Sequence, residues 1–347
     1  MKKILYAYFG KLGIFEEDIP GHSFYQIGLL DAIRESEGDC KIDFYSYLPS
    51  FHTTAIFPDG ELGKLNIRYF NEIIDQYDIP FQETVDRIMA NEYSAIYVKA
   101  RFRNLSTLAK GLFDAREFEG LIKVAAAMAV PVYVLDTDLS LPDSFLNSKR
   151  YPFTRKIPSI DMPGIGERFA MDCMSINTER ILNREKNTDV LYYGNLDFKN
   201  YKVGHSKNSI ILDLLTALDG HSMFDGTQLL VTHAGKPVDG IQVYKQIPRA
   251  DRLEIWKSFA NSIASINISK DLYTEKGFLP ARTYEAAMFG TVTVSYNDKT
   301  LHPAMSFTTI EQAIEQLTYL AESSPEDYLS LYFHQVQQLI NKGKSNE

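Results

Sequence analysis

Segments with strand periodicity take turns with segments of helical periodicity along this chain, and that alternation governs what it can become. "KKILYAYF" (2–9) reads as a strand, "SFYQIGLLDAIRES" (23–36) has apolar residues at helical spacing, and "KIDFYSYL" (41–48) alternates like a strand again. "SAIYVKA" (94–100), a helical stretch through about 127 and "VPVYVLD" (130–136) continue the pattern. A second series follows. It has strand-like "TDVLYYGN" (188–195), helix-like "SIILDLLTAL" (209–218), strand-like "TQLLVTH" (227–233) and helix-like "RADRLEIWKSFANS" (249–262). Strand-like "IASINIS" (263–269), a helix at 283–290 closed by Gly290, strand-like "TVTVSY" (291–296) and helices at 309–322 and 325–341 complete it. Strands separated by helices imply βαβ units on parallel sheets, so the fold class is α/β. The segment 147–188 is Pro-containing, polar and less periodic, and reads as a passage between two doubly wound halves.

Bulk properties agree with two packed domains. A length of 347 residues suits about two domains, and 45% hydrophobic content with 12% aromatics supports packed cores. The longest apolar run, "GLIKVAAAMAVPVYVL" (120–135), is broken by a Lys and a Pro and is too short to span a bilayer. "MKKILYAYFG" lacks a long apolar stretch and a cleavage site, so it reads as a first strand and not as a leader. Cys40 and Cys173 are far apart, which indicates neither a disulfide framework nor a thiolate metal site. A cytoplasmic enzyme or binding protein with no membrane partner is expected. The formal net charge of −9 opposes a general nucleic-acid coat. Basic residues do cluster at Lys99, Arg101 and Arg103 and at Lys149, Arg150, Arg155 and Lys156, either as solvated faces or as a basic cleft.

Several familiar sites are missing. Gly10 and Gly13 follow the first strand, but the dinucleotide fingerprint G-x-G-x-x-G is absent, as are a Walker A loop and G-x-S-x-G. The seven His form no metal-ligand spacing, so no protein metal site is expected; a divalent cation, Mg or Mn, would arrive with a diphosphate. Two carboxylate-bearing places remain. Asp136, Thr137 and Asp138 lie where a buried parallel strand ends, the edge at which open α/β sheets place ligands. An Asp there suits a general base, and the plainer alternative is a turn residue or helix cap. In "ARTYEAAMFG" (281–290), Arg282 and Glu285 share one helix face. As a surface ion pair they would contribute no more than about 1 kcal/mol. A Glu can instead accept two hydrogen bonds from a vicinal diol such as ribose, and an Arg can hold a diphosphate through two contacts. A nucleotide-sugar accounts for both residues together.

These motifs, in this order, resemble those of the DNA β-glucosyltransferases of T-even-type bacteriophages, and more broadly the GT-B glycosyltransferases. The family's R-x-x-E unit is similar to "ARTYEAAMFGTVTVSY", which implies that Glu285 takes the ribose hydroxyls of UDP and Arg282 the diphosphate and sugar. Its T-D-x-x-L-P strand end resembles Thr137, Asp138, Leu141 and Pro142, which implies Asp138 as the catalytic base ahead of Asp136. Its K-x-I-P segment resembles Lys245, Ile247 and Pro248, with backbone contacts to uracil, and "DVLYYGN" resembles the start of the diphosphate loop, bringing in Gly194 and Asn195. The chain departs from the family after that glycine: Lys199, Lys202, His205 and Lys207 stand where arginines are expected. A Glu at the start of the family's first helix is replaced near Ser23 by "GHSFYQ".

The resemblance implies two Rossmann-like domains facing a central cleft. An acceptor-binding domain would span 1–170, a nucleotide-sugar domain 171–325, and a C-terminal helix within 326–347 would pack back on the first. It implies inverting transfer of a sugar, first of all glucose, from a UDP-sugar such as UDP-glucose to the hydroxymethyl group of a modified pyrimidine in double-stranded DNA. The enzyme would be a monomer working in the cytoplasm, that of the host if phage-encoded. The alternatives are a GT-B enzyme with a small-molecule, glycan or protein acceptor, and a non-catalytic nucleotide- or DNA-binding module.

Overall fold

The computed structural model describes residues 1–9, 24–46, 60–77, 79–100, 115–136, 154–158, 165–184, 188–192, 207–224, 229–232, 240–242, 244–247, 252–269, 273, 275, 279–297 and 305–342. The chain divides into two compact units. The first is Met1–Phe57, Gly63–Gly166 and Gly343–Glu347; the second is Pro58–Leu62 and Glu167–Lys342.

The first unit carries β1 (Lys2–Phe9), α1 (Phe24–Glu37), β2 (Cys40–Ser46), α2 (Glu61–Ile73, in this unit from Gly63), β3 (Ile74–Gln76), α3 (Phe81–Met89), β4 (Ala95–Ala100), α4 (Ala115–Ala127), β5 (Val132–Asp136) and β6 (Thr154–Pro158). Its six strands are parallel and lie in the order β3-β2-β1-β4-β5-β6. The chain thus starts in the middle of the sheet, builds to one edge, returns, and builds to the other. This is the doubly wound plan, and it reverses direction between β1 and β4. A central parallel strand is covered on both faces, which is why Ile4, Leu5, Tyr6, Ala7 and Tyr8 are all buried. Leu5, Ile96, Val98, Val132 and Val134 join Phe118, Leu121, Ile122 and Ala125 of α4 in one apolar cluster.

The second unit repeats the plan with α5 (Glu167–Leu182), β7 (Val190–Tyr192), α6 (Lys207–Asp219), β8 (Leu229–Thr232), β9 (Tyr244–Ile247), α7 (Arg252–Asn261), β10 (Ala264–Asn267), α8 (Ala281–Met288), β11 (Val292–Tyr296), β12 (Ser306–Phe307), α9 (Ile310–Glu322) and α10 (Pro325–Lys342). Its strands are again parallel, in the order β12-β11-β10-β7-β8-β9. Counted from β7 this is the order of the first sheet, with the reversal between β7 and β10. Two doubly wound α/β units are therefore present, as the alternation in the sequence implies.

Three expectations differ from the structure. The stretch 147–188 is not simply a passage: it contains β6, the edge of the first sheet, and α5, a helix of the second unit. Phe169, Ala170, Cys173, Met174, Asn177 and Ile181 are the buried residues of α5, and their spacing is helical. The division between units falls at 166/167 instead of 170/171, because the whole of α5 belongs to the second unit. Residues 49–93, to which the alternating pattern assigns no element, supply α2, β3 and α3.

The C-terminal helix α10 belongs to the second unit and is bound to it by buried polar side chains. Tyr328 Oη accepts from the Val292 amide (3.0 Å) and donates to the Ile263 carbonyl (2.8 Å), so it bridges the starts of β10 and β11. The Gln335 side chain accepts from the Thr293 amide (2.9 Å) and donates to the Thr293 carbonyl (2.8 Å). Among the described residues β12 pairs only with Ser295 and Tyr296, and this side-chain amide serves the earlier part of β11 as a neighbouring strand would.

Candidate functional site

The carboxyl edge of the second sheet at its point of reversal gathers side chains from four elements. Tyr192 ends β7, Asn267 ends β10, Ser295 lies on β11, and Arg282 stands in the first turn of α8. Pro280 fits the position before a helix, where no amide donor is needed, and its side chain offers no cap. The helix ends at Gly290, whose φ of +71° closes a left-handed cap with its amide on the Ala287 carbonyl (3.1 Å). Between these ends Tyr284, Glu285, Ala286, Ala287 and Met288 are all buried. The helix therefore has little freedom to turn about its axis, and the direction of Arg282 is set.

Arg282 reaches back across the strand ends. Its Nε donates to Asn267 Oδ1 (3.0 Å) and its Nη2 to the Ile268 carbonyl (3.2 Å). Asn267 is 3% exposed; Oδ1 also accepts from Ser269 Oγ (3.0 Å), while Nδ2 donates to Ser295 Oγ (3.3 Å). The guanidinium also lies over the Tyr192 ring at 5.8 Å from its centroid, and Lys207 Nζ, at the start of α6, stands 5.6 Å from the same centroid. Two cations thus share one buried aromatic ring. Glu285, one turn along α8 and on the same helix face as Arg282, is 2% exposed. A buried carboxylate, two cations and the first turn of α6 at one sheet edge can together hold a polyanion that also carries hydroxyl groups.

Of the residues that the sequence points to, Arg282 and Glu285 are brought to this edge together with Lys207, one of the four basic residues that follow the diphosphate-loop strand. Ile247 ends β9, the outermost strand on the same sheet. Gly194, Asn195, Lys199, Lys202 and His205 lie outside the described residues, as do Pro248, Gly10 and Gly13. In the first unit Asp136 is the last residue of β5, and Thr137 and Asp138 lie outside the described residues. Of the basic clusters, Lys99 is on β4 with its ammonium 6.0 Å from the Tyr8 ring centroid, Arg155 and Lys156 are on β6, and the others lie outside the described residues.

Tyr192, Asn267, Ser269 and Ser295 have no motif of their own in the sequence; only the strand ends that carry them are visible there. Among the described residues no group of three His, Cys, Asp or Glu is arranged to hold a metal ion, and no helix is long and apolar enough to cross a membrane.

No family model matches the sequence, and no curated protein matches it either. Solved structures do resemble the chain along nearly its whole length. The UDP-GlcNAc 2-epimerase from Neisseria meningitidis bound to UDP-GlcNAc is 13% identical, with 98% of this chain and 97% of that chain covered and a TM-score of 0.44. Anabaena Alr3699/HepE in complex with UDP is 12% identical, with 99% and 98% covered and a TM-score of 0.40. The E. coli heptosyltransferase WaaC with ADP is 11% identical, with 93% and 99% covered and a TM-score of 0.38. At such identities and scores, donor and acceptor have to be argued from this chain's own residues.

Proposed function

We propose that this chain is an inverting GT-B-type glycosyltransferase that moves a sugar from a UDP-sugar, with UDP-glucose as the first candidate, to the hydroxymethyl group of a modified pyrimidine in DNA. The observation that supports the donor half is that Arg282 and Lys207 flank the Tyr192 ring at the carboxyl edge of the second sheet, where its strand order reverses, with Glu285 buried one turn along the helix that carries Arg282. In this reading Glu285 takes the ribose hydroxyls, and Ile247 holds the uracil through its backbone. Arg282 takes the diphosphate, with Lys207 and the loop residues Gly194, Asn195, Lys199 and Lys202. Positive charge placed there stabilises the negative charge that builds on the departing UDP. A Mg or Mn ion bound to the diphosphate would add to that effect.

The acceptor half rests on Asp138. Its carboxylate would remove the proton of the acceptor hydroxyl as that oxygen forms a bond to the sugar C1 from the face opposite UDP. The C1–oxygen bond to UDP breaks, the electron pair leaves with the diphosphate, and the configuration at C1 inverts. A base in duplex DNA must be turned out to reach such a carboxylate, at a cost of about a few kcal/mol. Lys99, Arg101, Arg103 and the 149–156 cluster would offset part of that through phosphate contacts.

A second reading is a non-DNA acceptor with the same donor chemistry, and the net charge of −9 favours it. Mass spectrometry of nucleosides decides between them. DNA containing hydroxymethylcytosine or hydroxymethyluracil is incubated with the protein and a panel of UDP-sugars. A hexose-sized gain on one base is the expected result; UDP binding with no gain on any DNA moves the acceptor to another class.

A further inference from the structure

The amino edge of the second sheet, opposite the edge that carries Arg282, holds a pocket that the proposed transfer does not use. It has a volume of about 810 Å³, within the range of roughly 300–1,000 Å³ usual for small-molecule sites. Its walls include Asn177, Arg180 and Arg184 from α5 and the segment after it, Trp256 and Lys257 from α7, and Phe289 just past α8. These residues precede β7, β10 and β11, which places the pocket at the amino ends of the strands.

Two of its side chains have unmet hydrogen-bonding capacity. Arg180 is half-buried beside Gly290, where an added Cβ would stand only 2.6 Å from its Nη2. Among the described residues its guanidinium, with five donors, forms no hydrogen bond and no ion pair. Burial lowers its pKa and the like charge of Arg184 adds to that, while Tyr332 and Tyr328 act in the opposite direction. Asn177, 0% exposed, spends its amide donors on the Met288 carbonyl and on Tyr332 Oη, both at 2.9 Å, so the orientation of the amide is determined. Its Oδ1 is buried and accepts no hydrogen bond. Glu61 and Glu179 also line the pocket, and neither is within ion-pair distance of Arg180.

A half-buried cation and a buried acceptor, both without a partner among the described residues and both lining one pocket, ask for a group that is anionic and still carries a proton. A carboxylate has the charge but no donor. A phosphate monoester has both, in its singly protonated form. We propose that this pocket binds a small phosphomonoester, with its phosphate on Arg180 and Asn177 and its organic part along Trp256 and Phe289. The site is separate from the donor site and does not depend on the proposed transfer.

Trp256, the chain's one tryptophan, lines this pocket, so its fluorescence can report on a ligand there. The full chain is titrated with phenyl phosphate, with benzoate and benzyl alcohol as the carboxylate and neutral probes. A saturable change with phenyl phosphate, at least tenfold weaker with benzoate and absent with benzyl alcohol, is expected. Arg180→Met should raise the apparent Kd roughly tenfold or more. It should also leave the ligand-free Tm equal or higher, because a half-buried charge without a partner is removed. Lys257→Glu, on an exposed side chain, should weaken binding even if Arg180→Met does not fold. The response should persist in Glu285→Ala, which separates it from the nucleotide site. No saturable change, or one that survives both Arg180→Met and Lys257→Glu, overturns the site; equal binding of benzoate overturns the phosphomonoester.

Discussion

Arg282 is positioned by its neighbours before any ligand arrives. The Nε contact to Asn267 and the Nη2 contact to the Ile268 carbonyl both use the planar fork of the guanidinium. A lysine keeps the charge but cannot make both contacts and still face a diphosphate. Arg282→Lys should therefore lower UDP affinity by roughly tenfold, read by calorimetry, while leaving the fold intact. Glu285→Ala should weaken UDP binding by about 1–3 kcal/mol in the same assay, the usual cost of losing a buried hydrogen-bonded partner. Asp138→Ala should abolish transfer and leave UDP affinity nearly unchanged; loss of both would make Asp138 a structural residue. That Arg282 and Glu285 share a helix face was legible from sequence, because three-residue spacing on a helix requires no tertiary information. Tyr192, Asn267 and Ser269 were not. They meet only because the order of the sheet sets the ends of β7 and β10 side by side, and no local spacing carries that order.

At the scale of elements, α10 shows how a helix can complete a sheet. Each hydrogen bond of Gln335 to Thr293 satisfies a buried backbone group that no strand among the described residues reaches on that side. Gln335→Leu should cost about 1–3 kcal/mol for the orphaned amide and carbonyl, measured by urea unfolding. Gln335→Glu should recover little, because the carboxylate can accept from the Thr293 amide but cannot donate to its carbonyl. The helix itself was visible in the sequence; its buried hydrogen bonds were not, because Tyr328, Tyr332 and Gln335 look like ordinary polar members of a helix until their partners are known. In α5 the periodic residues were present but diluted by Arg168, Asp172, Thr178 and Glu179, so the segment resembled a linker. Edge elements such as β3, with three residues, are too short for a period to register.

For the molecule as a whole, alternation alone was enough to read two parallel-sheet units, since a parallel pair demands a crossover each time. The buried phenols make its alkaline behaviour a test of that packing. Burial pushes Tyr77 up to about 12 from the ordinary 10.0, and raises Tyr93, Tyr97 and Tyr332 further. Burial is the largest cause for all three. Hydrogen bonds to the Asp43 and Glu37 carboxylates add to it at Tyr93 and Tyr97, whereas the Asn177 bond lowers Tyr332 slightly. The folded state thus keeps protons that the unfolded chain releases above about pH 10, so this stabilisation is complete below that pH and is lost as pH rises through 10 towards 12. Unfolding and the rise of phenolate absorbance should coincide in an alkaline titration. Phenolate formation at these tyrosines well before the loss of circular dichroism would show them to be solvated.

The Gln335 contact also has a consequence for how the protein is made. A ribosome delivers β11 more than 40 residues ahead of the side chain that serves its edge, since Thr293 and Gln335 are 42 positions apart. Until that helix emerges, the nascent sheet presents an open backbone edge to the crowded surroundings of the exit tunnel. Chaperone dependence during synthesis should therefore concentrate in the window between these two residues, and release from it should wait for α10.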